Sequence, residues 1–202
     1  MFMTLQEFIE RFDHPHAVVL LEGKRKVAES DEPRLTALGK LLASRTQHMK
    51  FRSGNAAGSD QLFSEGVALI DSGRLQVLTP YAGHRKKTNV AYETISLDDI
   101  SIAAEPELIR QSKKNKKTER LIDPFVEGKR NNIINKAAYI LRDTAKAIGT
   151  KTIPPATCGL FYDDLCNPLS GGTGHTMKTC QENNIPVFDQ LTWFHWLEEH
   201  TA

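Results

Sequence analysis

The stretch MKFRSGNAAGSDQLFSEGVALIDSGRLQVLTP, residues 49–80, decides how the chain folds. Met49-Lys50-Phe51-Arg52 is a short strand candidate, and Ser53 to Gly58 is a glycine-bearing loop. Leu62, Phe63, Gly66, Val67 and Ile70 then fall on one side of a helix, and Leu75-Gln76-Val77-Leu78 is a second strand, stopped at Thr79-Pro80. Strand, loop, helix and strand in that order make a βαβ unit.

Working outward, Ala17-Val18-Val19-Leu20-Leu21 is an apolar run too short for a helix and bounded by Pro15 and Gly23, the pattern of a strand buried on both faces. Before it, Leu5, Phe8, Ile9 and Phe12 recur at helical spacing behind Thr4, with Glu7 completing a capping box. Between the two strands, Pro33 starts a helix with Leu35, Leu38, Leu41 and Leu42 as its stripe. Towards the C-terminus, Ile134, Ala137, Ala138, Leu141, Ala145 and Ile148 predict a helix closed by Gly149. Thr157 to Phe161 reads as a strand, a short helix lies around Thr176, Met177 and Cys180, and Ile185 to Phe188 is a last strand. An aromatic helix from Leu191 to Leu197 follows, with too many large apolar residues for one narrow stripe, and reads as core or dimer interface.

The 202 residues, 40% apolar with 26 Lys+Arg against 25 Asp+Glu, suit one globular domain and argue against a generally basic nucleic-acid binder. No window approaches the roughly 18 apolar residues of a membrane span, and the first residues carry acids where a signal peptide is basic; a cytoplasmic, non-membrane protein is expected. Cys158, Cys166 and Cys180 match neither a zinc knuckle nor a disulfide framework and read as free thiols. Residues 81–130 break the βα rhythm and read as an insertion within the domain. From Pro106 to Arg130 eight basic residues face four acidic ones, including Lys113, Lys114, Lys116 and Lys117. With almost no aromatic residues for base stacking, this excess is more simply a solvated face than a surface for single-stranded DNA.

Two glycine-bearing loops lead from a strand into a helix, where unpaired backbone N–H groups and the helix dipole favour phosphate. They are Arg52 to Asp60 and Ser170-Gly171-Gly172-Thr173-Gly174-His175-Thr176. Neither is a Walker A loop or a full dinucleotide fingerprint. The candidate phosphate contacts are Ser53, Gly54, Asn55, Ser59, Gly171, Gly172 and Thr173, with His175 and Thr176 touching the rest of a ligand. Asp60 reads either as a ligand contact or as a structural partner of its helix dipole. Tyr162-Asp163-Asp164 follows a strand, but adjacent carboxylates on an extended chain diverge, so no metal site is expected.

These residues resemble the SLOG superfamily, the Rossmann-like group of DprA and the LOG phosphoribohydrolases. Glu22-Gly23-Lys24-Arg25 is similar to its Gly-Ser-Arg turn, Ser53 to Asp60 to its Ser-Gly-Gly-Ala-x-Gly-x-Asp segment with Asn55 for the second glycine, and Ser170 to Thr176 to its Gly-Gly-Thr turn. Gly128-Lys129-Arg130-Asn131-Asn132 resembles an Arg-Asn-x-Ile segment of DprA-like members, which puts Arg130 and Asn131 near a phosphate; a helix cap is the equal alternative. The resemblance implies an α/β fold, a doubly wound, mostly parallel sheet with helices on both faces, binding a nucleotide or nucleotide-derived ligand as a sensor, with Gly23 and Arg25 at the site. It also implies a homodimer. Its alternatives are nucleotide N-glycosidase activity and DprA-like binding of single-stranded DNA. The hydrolase motif Pro-Gly-Gly-x-Gly-Thr-x-x-Glu departs here: Ser170 replaces the proline, His175 the threonine and Lys178 the glutamate, leaving Glu22, Asp60, Asp163 or Asp164 as substitute acids. No cofactor is expected.

Overall fold

The computed structural model describes residues 3–201. In chain order the elements are α1 (Leu5–Phe12), β1 (Val18–Gly23), α2 (Glu32–Arg45), β2 (Lys50–Ser53), α3 (Ser59–Asp71), β3 (Leu75–Thr79) and β4 (Glu93–Ser96). They continue with α4 (Pro106–Ser112), α5 (Glu119–Val126), α6 (Lys136–Ile148), β5 (Cys158–Tyr162), α7 (Gly171–Glu182), β6 (Val187–Phe188) and α8 (Gln190–Thr201). The six strands form one parallel sheet in the order β4-β3-β2-β1-β5-β6. The fold is a Rossmann-like, doubly wound α/β sheet, with its winding direction reversed between β1 and β5.

Alternation along β1 explains its unbroken apolar run. Val19 and Leu21 pack into the core beneath α1, α2, α3 and α8, whereas Leu20 faces the opposite layer with Phe161, Met177 and Cys180. Trp193 and Trp196 of α8 are fully buried in the first core, and the indole Nε1 of Trp193 donates to Phe161 O at 3.1 Å. Within that layer α2 and α3 meet almost backbone to backbone: a Cβ on Gly66 would stand 2.1 Å from Thr36 O, and one on Gly39 2.3 Å from Phe63 O.

The segment 81–130 contributes more than a loop. It supplies β4, paired in parallel with β3, and helices α4 and α5, which pack Leu108, Ile122 and Phe125 against Leu141 of α6. The second glycine-bearing segment also differs from its sequence reading. It is the first two turns of a twelve-residue helix, not a loop ahead of a short one. Arg52, fully buried on β2, donates through Nη1 to Lys146 O and Pro154 O, both at 2.9 Å, and so ties the end of α6 to the sheet. Among the described residues no helix is long and apolar enough to cross a membrane.

Candidate functional site

Parallel strands bring their carboxyl ends to one edge, and the reversal between β1 and β5 opens a crevice there. A cavity of about 480 Å³ occupies it. Gly23 ends β1 at its floor; a Cβ there would lie 2.5 Å from Tyr162 O and 2.7 Å from Ser59 Oγ, so the strand ends and α3 close up only around glycine. Asp163 and Asp164 line another side, but Asp163 Oδ2 accepts from Leu169 N and Asp164 Oδ1 from Cys166 N, each carboxylate bracing its own turn.

The loop ahead of α3 is held by the chain itself. Asp60, 3% exposed, accepts through Oδ1 from Gly23 N at 3.2 Å and through Oδ2 from Gly54 N at 3.2 Å and Ala56 N at 3.3 Å. A carboxylate thus takes three of the N–H groups that a phosphate would need. The rest of that loop is likewise engaged. Ser53 Oγ accepts from Asn55 N, Ser59 Oγ donates to Lys24 O at 2.7 Å, and Asn55, at φ +53°, donates its side-chain amide to His84 O and Arg85 O. These groups of the first loop are thus engaged within the chain, while Ala56 and Asp60 still line the cavity.

The N-terminus of α7 is different. Ser170 at the N-cap makes no side-chain cap bond, and Ser170, Gly171, Gly172 and Thr173 all line the cavity. The first N–H groups of a helix have no intrahelical acceptor, and here they meet open space. No atom lies within 4 Å of a Cβ built on Gly171, and the nearest to one on Gly172 is Asp143 Oδ2 at 3.4 Å. His175 and Thr176, one turn on, are buried. His175 Nε2 meets Thr144 Oγ1 of α6 at 2.9 Å, and Thr176 Oγ1 donates to Gly172 O within α7. Neither lines this cavity.

The sequence reading found α6 but missed the charge that it presents to the cavity. Lys146 Nζ lies 2.5 Å from Glu22 Oε1 and 2.9 Å from Asp143 Oδ1, Arg142 Nη2 lies 2.9 Å from Asp143 Oδ1, and Arg142 Nη1 donates to Gly54 O at 2.6 Å. The four side chains are at most 7% exposed. Burial pushes the Glu22 carboxyl up to about 7 against the pull of Lys146, while the Arg142 and Lys146 cations hold the Asp143 carboxyl below the ordinary range despite its burial. Among the described residues Arg142 Nε has no hydrogen-bond partner. At the rim stand Lys24, the exposed Arg25 and Tyr139, whose ring sits edge-on to Tyr81 and His84. The missed signal was spacing: Arg142, Asp143 and Lys146 lie within one helical turn, beside the apolar stripe that marked the helix.

Arg130 and Asn131 stand outside this cavity. Arg130 stacks on Phe125 at 3.8 Å and donates to Phe125 O, while Asn131 Oδ1 accepts from Ile133 N and Ile134 N in the turn ahead of α6, whose N-cap is Asn135. The lysine cluster is largely neutralised by its neighbours, with Lys113 on Asp123, Lys114 on Glu182 and Lys116 on Glu119.

No family model matches the chain, and no curated protein matches it. A solved structure that it resembles is described as the single-stranded DNA binding mode of DNA processing protein A from Helicobacter pylori. The likeness has 14% identity and a TM-score of 0.48, covering 89% of this chain and 67% of that one. Identity at this level leaves the site to be argued from its own residues.

Proposed function

We propose that the protein binds a nucleotide or nucleotide-derived ligand in the cavity between β1 and β5, with a phosphate on the N-terminus of α7. The observation that supports this is the contrast between two helix starts at one crevice. Ahead of α3 the loop N–H groups are taken by Asp60, whereas the start of α7 is uncapped, carries two glycines and borders a cavity that buried Arg142 and Lys146 also line. Arg25 and Lys24 at the mouth add positive charge, and Tyr139 offers an aromatic ring for a base.

Calorimetry with AMP and ADP-ribose tests the reading, with Thr173→Glu as the control. Thr173 is the third residue of α7, where a glutamate favours the helix, and the new carboxylate occupies the phosphate position. Binding to the wild type that is lost in a Thr173→Glu protein of equal or higher Tm supports the site; unchanged binding in the variant overturns it.

A second reading is favoured by Glu22, a buried acid on the cavity floor whose carboxyl burial pushes up to about 7. It is suited to assist departure of a base from ribose, although Lys178 stands where the resembling hydrolases carry their glutamate. Chromatography of the same samples decides between them: free base appearing with the wild type and absent with Glu22→Gln favours hydrolysis, and intact ligand favours binding alone.

A further inference from the structure

The N-terminus of α7 also borders a second cavity. This one has about 470 Å³ and shares Thr118, Ile140, Ser170 and Gly171 with the first, so the helix start stands on the wall between them. Its outer side is the lysine-bearing loop 113–118 and the exposed face of α7. Lys114 and Lys116 are held in ion pairs, whereas the ammonium groups of Lys117 and Lys178 have no partner among the described residues. Deeper in, Gln111 is 3% exposed and donates Nε2 to Glu107 and to Asn183, while its Oε1 has no hydrogen-bond partner among the described residues. A buried acceptor left open calls for a donor. Phosphate oxygens offer none at neutral pH, but a base amine or a ribose hydroxyl does.

Building on the nucleotide reading above, we propose that the ligand is a dinucleotide, two nucleosides joined through a diphosphate. Its bridge lies across Ser170 and Gly171, and its second nucleoside sits beneath the 113–118 loop against Gln111. Each cavity falls in the size range that encloses a small ligand, and a mononucleotide would leave one of them empty. Lys117 and Lys178 supply charge on the side of the bridge away from Arg142 and Lys146. A continuous single strand is disfavoured because α4 and α7 are bridged beside this cavity, by Gln111 Nε2 to Asn183 Oδ1 at 3.1 Å and by Lys114 to Glu182 at 2.6 Å.

Titration calorimetry with AMP, with the diadenosine and diguanosine diphosphates, and with a thymidine oligonucleotide tests this on the full chain. One of the two diphosphates is expected to bind at least about tenfold tighter than AMP. Lys178→Glu and Lys117→Glu, both at exposed positions, are expected to remove most of that gain while AMP affinity stays within about twofold. AMP binding without any gain for either diphosphate overturns the dinucleotide and leaves the nucleotide site standing. No binding of AMP or of either diphosphate overturns both readings. Tighter binding of the oligonucleotide than of both diphosphates overturns the proposal in favour of a strand.

Discussion

Asp60 shows at the level of one residue how a sequence pattern and its use can part. Its position at the start of a helix reads as a dipole partner or a ligand contact, and in the fold it is the anion of the first loop. Local spacing gives the helix start, but which backbone groups converge on the carboxylate depends on Gly23, 37 residues away. Asp60→Ala orphans three N–H groups and is expected to lose about 2–4 kcal/mol in urea unfolding. Sulfate is expected to stabilise that variant more than the wild type, because the vacated nest accepts an anion; equal stabilisation of both proteins would refute the nest. Glu22 gives a pH signature. The folded carboxyl keeps its proton up to about 7 and the unfolded one to about 4.5, so between these values the native state binds more protons and stability falls as pH rises. His84 and His175, held by burial below the ordinary histidine value, act in the opposite sense, so stability gained from them rises with pH. Comparison with Glu22→Gln isolates the carboxyl: the variant's Tm relative to wild type is expected to climb between about pH 5 and about pH 8. A flat difference would mean that Glu22 stays ionised throughout.

Among the elements, those with an apolar signature were legible and those without one were not. β1, α2 and α6 announce themselves through runs or stripes that end up in the cores. β4 is an edge strand, Glu-Thr-Ile-Ser, with one large apolar residue, and its identity comes from pairing with β3. α7 begins with two glycines and turns His175, Thr176 and Thr179 inwards, so neither propensity nor stripe reveals its length. The buried charges of α6 were hidden because a charged residue on a helix normally faces water. The contact between α2 and α3 carries its own test. Gly66→Ala puts a methyl group 2.1 Å from Thr36 O, which forces the helices apart, and a loss of about 1–3 kcal/mol is expected in thermal unfolding. Gly171→Ala, with open space around it but φ at +63°, is expected to cost about 1–2 kcal/mol through backbone strain alone. Equal losses for two smaller, matched surface controls would show that neither glycine is special.

Across the whole molecule, the near-balance of charge is reproduced locally by ion pairs, and even the lysine-rich segment spends most of its charge on neighbouring acids. Affinity for single-stranded DNA is therefore expected to be weak at physiological salt, with a shallow salt dependence that reflects few phosphate contacts, measurable by fluorescence anisotropy. Tight binding that falls steeply with salt would contradict this distribution. The glycine contact between α2 and α3 has a mechanical consequence. With no side chains between the two backbones, that face of the sheet is an anvil with no slack to give up. The α4–α5 layer rests on a smaller apolar cluster, and the loop that joins its two helices walls the second cavity. Occupancy of the crevice is therefore expected to slow deuterium uptake across 106–126 and to leave 32–71 as slow as before.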